Sequence, residues 1–573
     1  MLHTGHTGTL TLYGVPKDSR VWRDILVLIM ALSVWFGYEL GDRSLWDPDE
    51  GRYSEIPREM VATGDYITPR LNGVKYFEKP VLYYWMQAGA IKLFGASEWS
   101  LRLWSAFLAG LGCLAVYYAG YRLFGRGTGL FAAAILATSV WYDLMGSAIT
   151  LDMAVTAFLT LALLAFLLGT RAPPGLERRL WLYAFYVLAA AATLTKGLIG
   201  IVIPGMVIFA WIAVTRQWSL LRSLYLPTGT LLFFAIAAPW HVMVSLANPE
   251  FPWFYFVHEH FARFLTTVHH RSEPIWFFVP VLLVGMFPWS AFFFEAVRRG
   301  LKDRHSGERT YADTWFLLLW AGLVFAFFSM SGSKLATYIL PAMPPLAILC
   351  GRYFADMWER CVPQTANYPY WLMLVAALLA GPALILIRWF VSGNQKIMDI
   401  YNMIGRDLYL VVASVLALAI VPYMLKRSSG NRHGIVALFL TTALMVLSFD
   451  VIVDKVDVTR TVKPLAMEVK RLAKPGDEVV SYLDYFQDLP DYLGHTVTVA
   501  GWKGELEFGS EQEDTSGWMI DEPEVASRLR RETMYIITRD RNIDRLKALS
   551  PVPLHVIMRA GRDVLVTNAV KIL

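Results

Sequence analysis

Between Trp46 and Trp85 the chain reads WDPDEGRYSEIPREMVATGDYITPRLNGVKYFEKPVLYYW, and its charges are of the kind that handle an anion. Arg52, Arg58, Arg70, Lys75 and Lys79 are interleaved with Asp47, Asp49, Glu50, Glu55, Glu59, Asp65 and Glu78. The segment follows the first long apolar run and, by charge bias, faces away from the cytoplasm, where loops of membrane proteins normally carry few Lys and Arg. Cations kept there point to an anionic ligand. Asp49 and Glu50 come shortly after the first apolar run, and Pro48 followed by acids suits a helix that begins there. Both acids are candidates for chemistry, set against the commoner use of Asp47 or Asp49 as a helix cap.

Other ionisable residues fall at the outward ends of apolar runs. Asp152 follows the brief turn SAIT at the head of the fourth run. An acid at that depth marks a site or a charge partner, unless it only caps the helix. Lys196 in TLTKGL and Lys334 in SGSKLATY sit at comparable ends, where a lysine can also simply snorkel to the interface. Lys79 directly precedes Pro80, which suits the first turn of a helix, and a cation near that positive dipole end is reconciled by a shared anion. Arg263 in HEHFARF is a second candidate anion ligand. Tyr53, Tyr76 and Tyr338 can donate to phosphate or sugar, interfacial anchoring being the default for any one tyrosine. His258 and His260, with Glu78 and Glu259, offer imidazole and carboxylate to a divalent ion such as zinc. A His pair at i, i+2 is weak evidence alone, and metal-free histidines are the commoner case.

The frame that must position these residues is a membrane one. Of 573 residues 56% are apolar and 17% charged, well below the share of charge in a soluble domain. Apolar runs that begin near Arg23, Ser97, Gly129, Thr150, Trp181, Leu198, Leu224, Ile275, Thr314, Ala336, Tyr370, Leu408 and Ile435 predict about 13 membrane helices. Every second connection is basic, from Lys17, Arg20 and Arg23 through Arg171, Arg178 and Arg179 to Lys426, Arg427 and Arg432. This places the N-terminus in the cytoplasm and the C-terminus outside. The first run passes into Gly41-Asp42-Arg43 without a small-residue cleavage site and reads as a retained anchor. Two outward connections are long, near 41–85 and 248–274, and aromatics in the second are expected at headgroup level. From about residue 454 to 573, helix-like and strand-like segments alternate and predict a small exported α/β domain, either a recognition lid or a stabilising cap. Net charge +5 is spread over loops, with no nucleic-acid motif. Cys113, Cys350 and Cys361 form no disulfide framework.

These motifs resemble the protein mannosyltransferase-like GT-C glycosyltransferases, and LWDPDEGRYSEIPREMVATGDYITPRLNGVKYFEKPVLYYW is similar to the bacterial lipid A aminoarabinose transferases. The resemblance covers nearly the whole membrane part. It implies an α-helical polytopic membrane protein of GT-C type (1–453) with a small C-terminal soluble α/β domain (454–573). The implied reaction moves 4-amino-4-deoxy-L-arabinose from undecaprenyl phosphate to lipid A phosphates, with inversion. The setting would be the outer face of a bacterial inner membrane, with the C-terminal domain in the periplasm. Asp49 would be the principal catalytic carboxylate and Asp152 a second essential acid near the sugar or its amine. Lys79 and Arg263, helped by Tyr338, would hold the polyprenyl phosphate, with Arg52, Tyr53 and Tyr76 lining the cavity. Lys196, Lys334 and Glu50 complete the donor-binding set. No cofactor is demanded, zinc or another divalent cation at Glu78 and His258 being the one candidate. The expected partners are the lipid-linked donor, lipid A and membrane lipids, with the chain acting as a monomer. Two other readings stand beside this one: a polyprenyl-phosphate transferase of another sugar, and a lipid or solute transporter. Against transport, the chain has no obvious internal repeat and no pair of broken spans with charges at mid-depth.

Overall fold

The computed structural model describes residues 19–38, 40–262, 273–302, 308–360, 367–390 and 395–569. Long apolar stretches become the helices α1 (Ser19–Gly37), α4 (Glu98–Phe124), α7 (Leu151–Arg171), α8 (Leu176–Lys196), α9 (Ile199–Thr215) and α10 (Leu226–Ala247). Further helices follow, among them Glu308–Met330, Met343–Arg360, Asp407–Ser429 and Asn431–Val456. Their starts follow sequence chemistry. The Ser97 side chain accepts from the Ser100 amide while Ser100 answers to the Ser97 amide, a reciprocal cap that opens α4.

Length and composition do not confirm the expected count of about 13 spans. Among the described residues six helices are long and apolar enough to cross a membrane, or up to eight if two bent pairs each count as one. The expected third span is α5 (Arg126–Ala137) and α6 (Val140–Gly146), bent by 69°. The expected eighth breaks by 104° between Phe278–Gly285 and Trp289–Leu301, at Pro288, whose ring cannot continue a helix. The chain is a polytopic helical membrane protein with a C-terminal sheet domain. On the side expected to face the cytoplasm, ion pairs tie neighbouring helices: Arg126 to Asp24, Arg122 to Glu177, and Arg171 to Asp313.

The first outward connection is folded rather than loose. It forms α2 (Asp49–Thr63), the antiparallel pair β1 (Arg70–Leu71) and β2 (Val74–Lys75), and α3 (Leu82–Phe94). Asn72 and Gly73 both have positive φ, 54° and 78°, which is the two-residue hairpin turn that an Asn-Gly pair favours.

The last long helix runs to Val456, and a mixed sheet follows. Its strands are β3 (Glu478–Tyr482), β4 (Thr498–Ala500), β5 (Met519–Ile520), β6 (Met534–Arg539), β7 (His555–Ala560) and β8 (Asp563–Thr567). The order is β5-β4-β3-β6-β8-β7, with β5 to β6 parallel through β3 and an antiparallel β7–β8 edge. This domain sits on the first outward connection and shares a core with it. Tyr53, Ile56, Leu71 and Tyr76 pack in one buried cluster with Phe486, Leu489, Val497 and Leu506. The Asn72 amide and carbonyl groups reach across. Its side chain bonds Val497 in both directions, at 2.9 and 2.8 Å, and its backbone oxygen accepts from the Trp518 indole.

Candidate active site

Neither acid before α2 caps it. Pro48 occupies the cap position without a side-chain bond, and Asp49 is the first helical residue, where the dipole favours an anion. Asp47 instead accepts the Gln487 amide at 2.7 Å, so it fastens the C-terminal domain.

Glu50, expected among donor ligands, is a scaffold residue. One carboxylate oxygen accepts from Arg102 Nε and the Ile149 amide, each at 2.9 Å, and the other accepts from Arg102 Nη2 and the Trp46 amide. Burial alone would raise its pKa, but the charge and hydrogen bonds of Arg102 outweigh that and hold it below the usual range. Arg102 is fully buried and spends its remaining donors on the carbonyls of Leu40, Arg43 and Ser44. Because Ile149 leads into α7, Glu50 joins the head of α2, with Asp49, to the head of α7, with Asp152. Both Glu50 oxygens are thereby engaged with Arg102 and with backbone amides.

Asp49 itself is open, its side chain 66% exposed and 3.5 Å from Arg52. Arg52 is buried and is held by C-terminal residues, Gln487 at 2.9 Å and Glu505 at 2.6 Å. Its guanidinium lies 5.7 Å from the Tyr53 ring centre. Tyr53, Tyr76 and Tyr84 share one buried cluster, with the ring centres of Tyr53 and Tyr84 6.3 Å apart. The hydroxyls of Tyr76 and Tyr84 are buried and have no hydrogen-bond partner among the described residues. Burial raises the Glu505 carboxyl above its ordinary pKa against the pull of Arg52, with Glu78 and Asp49 adding to the rise.

Lys79 lies just ahead of α3, which starts at Leu82 rather than at Pro80. Its ammonium donates to the Glu78 carbonyl at 2.8 Å and to Glu259 at 3.3 Å, and is 3.5 Å from the Glu78 carboxylate. Glu259 belongs to a π-helical turn, Trp253–Ala262, and lies 3.5 Å from His258 Nδ1. The aromatics of this second connection are not all at headgroup level: Trp253 is exposed, whereas Phe251, Phe254 and Tyr255 are buried. Phe254 stacks on Phe508 of the C-terminal domain with ring centres 3.9 Å apart. Arg263, His269 and His270 lie outside the described residues. As for a divalent ion, no three His, Cys, Asp or Glu side chains are gathered to hold one among the described residues. The Lys79 ammonium contacts both Glu78 and Glu259, the latter beside His258, so a divalent ion there would meet a cation already in place, and the donor set does not fit one.

Asp152 does not cap its helix either. Thr150 does so, accepting the Asp152 amide at 2.9 Å, and the Asp152 carboxylate forms an ion pair with Lys196 at the outward end of α8. The same ammonium sits 4.5 Å from the centre of the Tyr338 ring. Three residues singled out on separate segments therefore meet. Lys334 is a loop anchor: it is buried and donates to the carbonyls of Glu273 and Ser331 at 2.9 and 2.8 Å. Those bonds, rather than the interface, account for its place.

Sequence reasoning missed Arg102, Tyr84, Gln487 and Glu505. Arg102 carried a signal, since a charge within an apolar span demands a partner. Gln487 and Glu505 carried none, being ordinary surface residue types in the C-terminal segment.

Comparison with known proteins bears on both halves of the chain. Residues 78–242 match the family described as dolichyl-phosphate-mannose-protein mannosyltransferase, and residues 465–568 match the aminoarabinose transferase C-terminal domain. An undecaprenyl phosphate-alpha-4-amino-4-deoxy-L-arabinose arabinosyl transferase of Sodalis glossinidius is 35% identical over 58% of this chain and 60% of that one, less than two thirds of its length. A protein of the same description from Erwinia tasmaniensis is 28% identical over 87% of this chain and 89% of its own. The crystal structure of ArnT from Cupriavidus metallidurans bound to undecaprenyl phosphate superposes with a TM-score of 0.84 at 28% identity. That superposition covers 96% of this chain and 98% of that one.

Proposed function

Because the chain belongs to the aminoarabinose transferases of the GT-C glycosyltransferase class, we propose that it transfers 4-amino-4-deoxy-L-arabinose from undecaprenyl phosphate to phosphate groups of lipid A. The observation that carries this reading is an exposed Asp49 at the head of a buried helix, with Lys79 farther along the same folded connection. A lipid-phosphate donor needs its leaving phosphate stabilised, and a fixed ammonium in a partly dry site does that. An acceptor phosphate oxygen attacks the anomeric carbon. The bond from that carbon to the donor phosphate breaks, its electron pair leaves with undecaprenyl phosphate, and the centre inverts. The acceptor is already largely ionised near neutral pH, its second pKa being about 6, so Asp49 positions the nucleophile or steadies the oxocarbenium-like charge rather than removing a proton. Lys196, paired with Asp152 under Tyr338, supplies a second cation toward the donor.

The basic loops support an inner-membrane protein whose site and C-terminal domain face the periplasm. Capping lipid A phosphates with an amino sugar lowers the negative charge that cationic peptides seek. Mass spectrometry of lipid A from cells with and without the gene tests the reading. The expected gain is one aminopentose per modified phosphate, and unchanged lipid A would overturn it. A cytoplasm-only reporter fused to the C-terminus should be silent, and strong activity would reverse the orientation.

A further inference from the structure

The helices α7 and α8 carry Asp152 and Lys196 at their outward ends. Nearer their other ends they enclose, with α9 and the 3-10 helix Trp218–Ser223, a cavity of about 330 Å³. That lies within the ~300–1,000 Å³ usual for ligand pockets. Its floor is buried, Phe166, Leu182 and Ile212 each being 1% exposed, whereas Phe209 and Trp218 at its rim are exposed. The rings of those two meet edge to face, with centres 6.1 Å apart. Of the lining residues Tyr186 alone carries a hydroxyl, and that hydroxyl already donates to the Leu224 carbonyl at 3.0 Å. An ordered water needs about two to four polar partners, which such a wall does not offer. Hydrocarbon suits it. Gly205, on the α9 wall, keeps the space open: a Cβ there would meet nothing within 4 Å.

The charge beside this cavity has one sign. The connection from Arg216 to Tyr225 reads RQWSLLRSLY, with two arginines and no acid, and both arginines are exposed. Arg222 directly follows Leu221, and Arg216 comes two positions before Trp218, both of them lining residues. At the same end of the bundle Arg122, Arg126 and Arg171 are each paired with an acid. Arg216 and Arg222 have no such acid among the described residues. We propose that the cavity holds an acyl chain of an anionic phospholipid from the leaflet on that side, with the lipid phosphate on Arg216 and Arg222. Basic residues at the cytoplasmic edge of helices recognise anionic headgroups in this way. The inference is independent of the transfer reaction. The polyprenyl donor does not supply this anion, because Phe166 lies about four turns, or ~21 Å, along α7 from Asp152. A phosphate held at the outward end cannot also meet Arg216 and Arg222.

The test titrates the delipidated full-length protein in detergent with phosphatidylglycerol or phosphatidylcholine and counts bound lipid by native mass spectrometry. The parent should keep one phosphatidylglycerol about tenfold or more tighter than phosphatidylcholine. Gly205→Leu fills the cavity and should weaken both lipids by about tenfold. Arg216→Gln with Arg222→Gln, at exposed positions that folding does not need, should bind the two lipids alike. Arg427→Gln with Arg432→Gln, on the loop between the last two long helices, removes the same charge elsewhere and should keep the preference. A parent that binds both lipids equally would overturn the inference, as would a control pair that loses the preference equally. Parent-like lipid binding by folded Gly205→Leu would remove the cavity from the site. Displacement of phosphatidylglycerol by undecaprenyl phosphate would give the cavity to the donor tail and likewise overturn it. Should Gly205→Leu fold poorly, the two arginine pairs decide the matter by themselves.

Discussion

Arg52 and Glu505 are 453 positions apart in the chain and form an ion pair at 2.6 Å. One belongs to the connection after the first membrane helix, the other to the C-terminal domain, so that domain reaches the residue beside Asp49. A lid that merely covered the membrane part would not pair a half-buried carboxylate with Arg52.

Asp49→Asn should cut transfer by about a hundredfold or more, as loss of a fixed electrostatic contact to the reacting centre commonly does. Because its side chain is 66% exposed with one 3.5 Å contact, the melting temperature should hardly move. Near-normal turnover in the purified variant would remove Asp49 from catalysis.

Lys79→Ala should weaken use of the lipid-phosphate donor and leave the ion balance of Glu78 and Glu259 more negative. Turnover at saturating donor and donor KM, measured separately, distinguish loss of leaving-group stabilisation from loss of binding. Unchanged values for both would place the phosphate elsewhere.

Arg102→Met strands the Glu50 carboxylate in a buried site, where breaking a buried pair typically costs about 3–5 kcal/mol. The expected result is a large fall in melting temperature. Replacing both residues, Arg102→Met with Glu50→Gln, should recover part of it. A single variant as stable as the parent would show that Glu50 finds water or another partner.

Gly51 marks the closest approach of α2 to the C-terminal domain: a Cβ there would lie 2.3 Å from the Asp488 amide nitrogen and 2.5 Å from the Gln487 carbonyl carbon. Both are backbone atoms and cannot swing aside. Gly51→Val should therefore lift the domain from its seat, expose the stretch around Arg460 to limited proteolysis and abolish activity. Protection equal to that of the parent would contradict the docking.

The same seam should respond to pH. Burial raises the Asp47 carboxyl to about 7, Glu55 to about 8 and Asp491 to about 7, while Arg58 draws Glu55 the other way at 2.5 Å. Glu59 and Asp491 face Glu55 as further acids. Folded values above the unfolded ones, about 4 for carboxyls, mean that this contribution is complete at low pH and is lost as pH rises through the folded values. Thermal stability should decline from about pH 4 to about pH 8 and level off above that, and Glu55→Gln should flatten the slope. A slope unchanged by the substitution would place the titration elsewhere.

Much was legible in the sequence because membrane insertion and local capping are written in residue types along one stretch of chain. Apolar runs mark helices, basic loops mark a side, and Asn72-Gly73 marks a hairpin turn. The Asp49 segment stood out because its charges contradict the usual composition of an outward loop. The meeting of Asp152 with Lys196 and Tyr338 was foreshadowed only by their common depth. What tertiary structure decided was which charges are spent and which remain. Glu50 and Asp49 are neighbours with nearly the same chemistry, yet α2 turns one toward Arg102 and leaves the other open. Glu505 and Gln487 gain their place only when the C-terminal sheet settles on α2. No local pattern records a contact made across more than four hundred residues, because its energy comes from desolvation and pairing that exist only once both surfaces are formed.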